Sequence, residues 1–358
     1  MNLEVNGFNV LLIVAITFLI SALLTPLAKK IALHVGALDY PNERKIHKKP
    51  MPRLGGLAIY VAFLIGYAVF GEINTQMISI LIGGFILILT GIFDDIKPIK
   101  ARYKLLAQIF AALFVVIYGE VYFTEISLFG LKFYINEYLS YFISTLFIVA
   151  ITNSINIIDG LDGLAAGVSS IYFLTIAIIA FLLNQIGGLD IILSLIMLGA
   201  TLGFLLYNFP PARIFMGDTG SLFLGYMISI IALLGFKITT ITSLIVPLCI
   251  LAIPIFDTVF AILRRLLKHQ NIGVADKEHF HHQLLKMKYS PTKSILIIYF
   301  INVLFAAVSI FYVLGDNKLA IAIYVVLMIL LLFVVLKTDI LYDHSKNKKT
   351  KVERKKRL

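Results

Sequence analysis

Four short polar segments carry the residue types that handle a metal ion and phosphate: Asp94-Asp95, Asn153 to Asp162, Arg213 to Asp218, and His279 to His282. In GIFDDIKPIKARYK two adjacent carboxylates repel each other, so one of Asp94 and Asp95 is either partly protonated or holding a divalent ion. Both states serve catalysis. Oxygen ligands without cysteine suit Mg2+ or Mn2+ better than zinc, and Mg2+ is usually held by one or two carboxylates together with substrate phosphates. A diphosphate ligand is therefore implied. The competing reading is plain ion pairing of these acids with Lys97, Lys100, Arg102, Lys104 and Arg213.

In TNSINIIDGLDGLAAG, Asn153, Asn156, Asp159 and Asp162 follow at three-residue intervals. Neighbours at that spacing share a helix face, but all four drift by about half a turn. With Gly160 and Gly163 inside it, the segment is expected to leave the fifth helix, turn so that amides and carboxylates converge, and start the sixth. In YNFPPARIFMGDTGSLFLGY, Pro210-Pro211 stops a helix, Arg213 can fork onto phosphate, and Phe215 can stack on a base. Asp218 heads Asp-Thr-Gly-Ser, where it acts as the cap of the eighth helix or joins the acidic cluster. DKEHFHHQLL sets His279, His281 and His282 between Lys277 and Lys286, so imidazole and ammonium groups can meet phosphate oxygens. A zinc site made of histidines alone lacks a separated further ligand.

The elements that carry these residues are membrane helices. With 60% hydrophobic and 14% charged residues, a soluble fold would have too little polar surface. Eleven apolar runs reach or approach the roughly 20 residues a spanning helix needs. They are 8–28, 54–71, 77–93, 103–120, 138–152, 162–184, 190–207, 220–236, 241–263, 294–314 and 319–336. The expectation is an all-α polytopic membrane protein, amino terminus outside, with one transmembrane catalytic domain over 1–336 and a basic cytoplasmic tail over 337–358. In that orientation 28 of the 31 Lys and Arg residues lie inside, leaving Lys132, Lys237 and Lys318 outside. This asymmetry is what the positive-inside rule predicts, and it puts all four motifs on the cytoplasmic face.

The net charge of +11 comes mostly from residues beside span ends, which fits topology and attraction to anionic lipid and argues against nucleic acid. The first span lacks a basic leader and precedes Lys29-Lys30, so it reads as retained. Partial alternation over 121–136 predicts a small outer β-hairpin around Gly130, and Pro247 with Pro254 predicts a broken ninth helix. Cys249, the single cysteine, offers neither an intrachain disulfide nor a cysteine metal site. A transporter would place its acids near mid-membrane within symmetric halves, and no such repeat is evident.

At these residues the chain resembles the polyprenyl-phosphate N-acetylhexosamine-1-phosphate transferases. The resemblance runs through RKIHKKPMPRLGGLAIY, GIFDDIKPIKARYKLLAQ, NSINIIDGLDGLAAG, FPPARIFMGDTGSLFLGY, PIFDTVFAILRR and DKEHFHHQLL. It is nearest to the branch that uses UDP-GlcNAc and begins the teichoic acid linkage unit of Gram-positive bacteria. Phe280 between His279 and His281 departs from the three consecutive histidines of the muramyl-pentapeptide branch. The resemblance implies a multi-pass bacterial plasma-membrane enzyme that uses undecaprenyl phosphate, UDP-GlcNAc and Mg2+ or Mn2+, with a homodimer as one allowed assembly. It implies Asp218 as first metal ligand, assisted by Asp95 or Asp94, with the other of that pair deprotonating or orienting the lipid phosphate. Lys104, Arg213, His281 and His282 would hold phosphates. Asn156, Asp159 and Phe215 would bind the uridine part, with Asp162 and His279 also in the substrate site.

Overall fold

The computed structural model describes residues 4–41, 49–128, 131–184, 187–237, 245–267, 279–315 and 317–337. The expected tail from 338 onward, Lys277 and the start of the ninth run (241–244) lie outside the described residues. In chain order the elements are β1 (Glu4–Val5), β2 (Phe8–Asn9), α1 (Val10–Val35), β3 (Leu38–Asp39), β4 (Met51–Pro52), α2 (Gly55–Phe70), α3 (Thr75–Ile96) and α4 (Ala101–Ile117). There follow β5 (Glu125–Leu128), β6 (Leu131–Tyr134), α5 (Glu137–Ile158), α6 (Leu164–Leu182), α7 (Leu189–Asn208) and α8 (Gly217–Lys237). The chain continues with α9 (Ile245–Ile250), α10 (Ala252–Leu267), α11 (Phe280–Lys286), α12 (Pro291–Leu314) and α13 (Asn317–Lys337).

Each apolar run falls on a helix, the ninth on the pair α9 and α10. Among the described residues, α1, α3, α5, α6, α7, α8 and α12 are long and apolar enough to cross a membrane, while α2 and most of α13 are shorter apolar helices. Helix starts follow local chemistry. Asn9, Asn74, Asn136 and Ser290 precede α1, α3, α5 and α12, and each side chain accepts from an amide of the first turn. That satisfies a donor with no partner inside its own helix. The ninth run breaks at Leu251, between Pro247 and Pro254. Of the expected hairpin, β5 and β6 pair antiparallel with Leu128 opposite Leu131, while its turn at 129–130, with Gly130, lies outside the described residues.

The axis of the bundle is α8, almost wholly buried and packed against α2, α3, α5, α6 and α7. In lipid, helices associate through close packing more than through hydrophobic drive, and small residues permit the approach. A Cβ on Gly56 of α2 would lie 2.1 Å from Gly220 Cα, and one on Gly91 of α3 would lie 2.4 Å from Thr219 Cα. These contacts seat α2 and α3 directly on the first turn of α8. Facing outward, Leu11, Leu23, Phe110 and Phe142 are 62–78% exposed, a surface suited to acyl chains and not to water.

Candidate active site at one end of the bundle

The first turn of α8 has amides without helical acceptors, and they point at the end of α3. Asp95 accepts from Asp218 N–H at 3.0 Å, Thr219 N–H at 3.0 Å and the Thr219 hydroxyl at 2.7 Å. Of the two readings of Asp218, cap of α8 or member of the acidic cluster, the geometry favours the second. The helix starts at Gly217, Asp218 lies inside its first turn, and the capping carboxylate comes from another helix. The reason is the close approach at Gly91, which delivers Asp95 to the amides. The Asp218 carboxylate is thereby left to face cations, with Oδ2 2.8 Å from Lys104 Nζ and Oδ1 3.6 Å from Arg53 Nη2.

Asp94 Oδ1 accepts from Ile99 N–H at 2.9 Å and lies 3.3 Å from Lys104 Nζ. Arg53, between β4 and α2, completes the centre: Nε and Nη2 each lie 2.9 Å from Asp95 Oδ1, and Nη1 lies 3.5 Å from Asp39. Burial alone would lower the Arg53 pKa, but Asp95, Asp218, Asp39 and Asp94 outweigh it and the pKa is raised. The guanidinium stays charged. Its backbone is fixed from below, because Phe215 N–H donates to Pro52 O at 2.8 Å while Gly55 and Gly56 N–H donate to Phe215 and Met216 carbonyls at 3.0 and 2.9 Å. The first amides of α2 are satisfied in this way. One oxygen from each of Asp94, Asp95 and Asp218 lies within 4.8 Å of the others. This all-oxygen set fits a hard divalent cation such as Mg2+ or Mn2+.

The second motif differs in part from expectation. α5 does not end near Asn153 but runs to Ile158, so Asn153 and Asn156 remain helical. Their side chains are used between helices: Asn153 Nδ2 donates to Gln108 at 2.6 Å and Asn156 Nδ2 to Ser221 at 2.8 Å. The turn begins at Asp159. Burial, followed by Asp218 and Asp95, pushes the Asp159 carboxyl up to about 8. Five carboxylates, Asp39, Asp94, Asp95, Asp159 and Asp218, thus surround Arg53 and Lys104, and a proton or a metal ion would relieve the excess.

Beyond it, Asp162 Oδ2 accepts from Ala212 N–H at 2.9 Å, and Asn208 joins Gly163 N–H to Ile214 O at 2.9 Å each. These clasps hold the 159–163 turn to the 209–216 loop. Arg213 itself is exposed, with its N–H on Tyr207 O at 2.8 Å.

The histidines arrive on α11. His279 Nδ1 lies 3.1 Å from Asp257 Oδ2, and Phe280 N–H donates to Asp257 Oδ1 at 2.9 Å. Burial, followed by His282, lowers His281 to about 3, so its imidazole is neutral. Its Nε2 is buried without a hydrogen-bond partner among the described residues, and it faces Gly160, where an added Cβ would be 2.4 Å away. The structure therefore gathers Asp94, Asp95, Lys104, Asn156, Asp159 and Asp218 into one region, with His281 against its 159–160 turn. The His279 ring lies parallel to His281, and the His282 ring packs against His281 at a tilt of 46°.

Arg53, Asp257 and Asn208 were not singled out as site residues from the sequence. Asp257 carried a usable signal, since an acid inside an apolar run marks function or pairing. Arg53 and Asn208 carried none beyond their place beside a span end.

Glycosyl transferase family 4 matches residues 77–236, which include Asp94, Asp95, Lys104, Asp159 and Asp218. The chain is 45% identical, over 82% of its length and 83% of the relative's, to a probable undecaprenyl-phosphate N-acetylglucosaminyl 1-phosphate transferase of Bacillus subtilis. It is 31% identical to a decaprenyl-phosphate N-acetylglucosaminephosphotransferase of Mycobacterium tuberculosis, over 76% of this chain and 74% of that one. With the undecaprenyl-phosphate alpha-N-acetylglucosaminyl 1-phosphate transferase of Escherichia coli K12 the identity is 26%, over 82% and 81%. By these matches across most of its length, the chain belongs to glycosyl transferase family 4, the family of the polyprenyl-phosphate N-acetylglucosamine-1-phosphate transferases.

Proposed function

We propose that this protein transfers GlcNAc-1-phosphate from UDP-GlcNAc to undecaprenyl phosphate, giving polyprenyl-diphosphate-GlcNAc and UMP, as the first membrane step of a teichoic acid linkage unit. The observation that carries it is the meeting of Asp94, Asp95 and Asp218 with Arg53 and Lys104 at the end of an apolar helix bundle. The relatives' names supply the sugar and the lipid. An oxygen of the lipid phosphate attacks the sugar-bearing phosphorus, and the bond to the UMP oxygen breaks. Such transfer depends on positioning and charge neutralisation.

A bound Mg2+ would neutralise phosphate charge between the two reacting groups. Asp218 and Asp94 are its best-placed holders, because the oxygens of Asp95 already accept from Arg53, Asp218 and Thr219. Lys104, now bridging Asp94 and Asp218, is placed to turn to a phosphate. Arg213 would add a contact from its loop and His282 one from α11, and neutral His281 would offer a hydrogen bond in place of a charge. Asn156, Asp159, Asp162, Phe215 and His279 would line the donor side. The same reading has eleven membrane spans, an outside amino terminus, a cytoplasmic active site in the plasma membrane and a basic cytoplasmic tail at 337–358. The basic-residue asymmetry supports that orientation. Homodimer assembly is compatible with it.

The test is UMP release by purified protein with undecaprenyl phosphate and Mg2+, comparing UDP-GlcNAc with UDP-MurNAc-pentapeptide, each with and without EDTA. EDTA-sensitive release with UDP-GlcNAc alone is expected. Release with the pentapeptide donor instead would move the chain to the peptidoglycan branch.

A further inference from the structure

Asp257 lies in the apolar run that forms α9 and α10 and is 4% exposed. A buried acid is costly unless paired. Both of its oxygens are committed to the start of α11, Oδ1 to Phe280 N–H at 2.9 Å and Oδ2 to His279 Nδ1 at 3.1 Å. A carboxylate only accepts, so this contact puts a proton on His279 Nδ1. The His279 and His281 rings lie parallel, 5.8 Å apart at 5°, and the His281 and His282 rings are 4.2 Å apart. The three imidazoles form one cluster, with the His282 ring tilted 46° against His281. Its inner member, His281, has a buried and unpartnered Nε2 facing Gly160, one residue from Asp159.

We propose that Asp257 is a positioning residue for the transfer reaction: it selects the Nδ1–H tautomer of His279 and anchors α11, which holds His281 Nε2 at the Asp159–Gly160 turn, on the donor side of the site. The proposal rests on the transferase reading above. Asp257 touches no substrate and acts through His279.

The distinguishing variant is Asp257→Asn. Phe280 N–H keeps the amide oxygen on its own side, so the α11 anchor survives, and the amide nitrogen then faces His279 Nδ1 and donates to it. His279 is forced into the Nε2–H tautomer. In detergent-solubilised protein labelled with 15N-histidine, with the His279 signals assigned by their loss in His279→Ala, the variant should exchange the two ring-nitrogen signatures. With UDP-GlcNAc and undecaprenyl phosphate, kcat should fall roughly 10- to 100-fold, the scale of an orienting partner, while KM for the nucleotide-sugar changes little. The double variant Asp257→Asn with His279→Ala should be no slower than His279→Ala alone, because one residue acts through the other.

An Nε2–H tautomer in the unsubstituted protein, or losses that multiply in the double variant, would overturn the proposal. So would an unchanged kcat in Asp257→Asn. The tautomer measurement needs no substrate, so a wrong donor sugar would leave it standing, and a misfolded variant would leave the unsubstituted protein's spectrum to decide.

Discussion

Removing Asp95 should harm folding before it harms chemistry, and Asp218 should behave in the opposite way. Asp95→Ala strips the cap from α8, a loss of about 1 kcal/mol for a helix start. It leaves the Thr219 amide and hydroxyl, both buried, without their acceptor, at about 1–3 kcal/mol. Arg53 loses its 2.9 Å partner and keeps only Asp39, Asp218 and Asp94 at 3.5, 3.6 and 4.0 Å. Breaking a fully buried pair costs about 3–5 kcal/mol, but the Arg53 side chain is 22% exposed and keeps neighbours, so about 2 kcal/mol is the fitting share. These losses overlap, and about 4 kcal/mol is expected in all.

Asp218→Asn keeps the shape, leaves Lys104 paired with Asp94 at 3.3 Å and relieves carboxylate repulsion. Its stability should shift by less than about 1 kcal/mol. Thermal unfolding in one detergent, read beside UMP release, separates the two. If Asp95→Ala unfolded at the unsubstituted protein's temperature, or Asp218→Asn proved the less stable variant, the assignment of Asp95 as the organiser of the site would be refuted.

Three further outcomes follow from the same geometry. Asp218→Asn should lower Mg2+-dependent turnover by more than about 100-fold, beyond what a supporting residue costs, and near-normal UMP release would remove it from the metal site. Gly91→Ala drives a methyl to 2.4 Å from Thr219 Cα, so it should cost about 1–3 kcal/mol as overpacking and slow turnover by moving Asp218 off Lys104; crosslinking or thermal unfolding indistinguishable from the parent would count against that approach. The Asp159 carboxyl, raised from 3.8 to about 8, keeps a proton in the folded chain that the unfolded chain releases. In EDTA, stability from this group is full below about pH 4 and is lost as pH rises through about 8, so Asp159→Asn should flatten that slope, as unfolding midpoints across the range would record.

Much of the architecture was legible in the sequence because it is set by local physics. Apolar runs, asparagine and serine caps, and prolines at 247 and 254 act within a turn or two of chain, and the helices and the break at Leu251 follow from them. The acids were legible too, since a carboxylate beside lipid needs a reason to be there. Extending α5 to Ile158 was less readable: the spacing of Asn153 and Asn156 suits a helix face as well as a turn, and only their partners Gln108 and Ser221, on other helices, decide.

Which acid does what could not be read in the same way. Asp94 and Asp95 are neighbours of one residue type, and their sequence surroundings do not rank them. The packing of Gly91 against Thr219 sends one carboxylate to cap α8, 124 residues away, and leaves the other to Lys104. Arg53 became part of the centre because β4 lies beside Phe215, and Asp257 met His279 because the fold brings the start of α11 to α10. The sequence determined that this chain would bury carboxylates at the end of a membrane bundle. Tertiary structure alone decided how their lone pairs were shared, because hydrogen bonds reach about 3 Å and only close packing brings residues so distant in sequence within that reach.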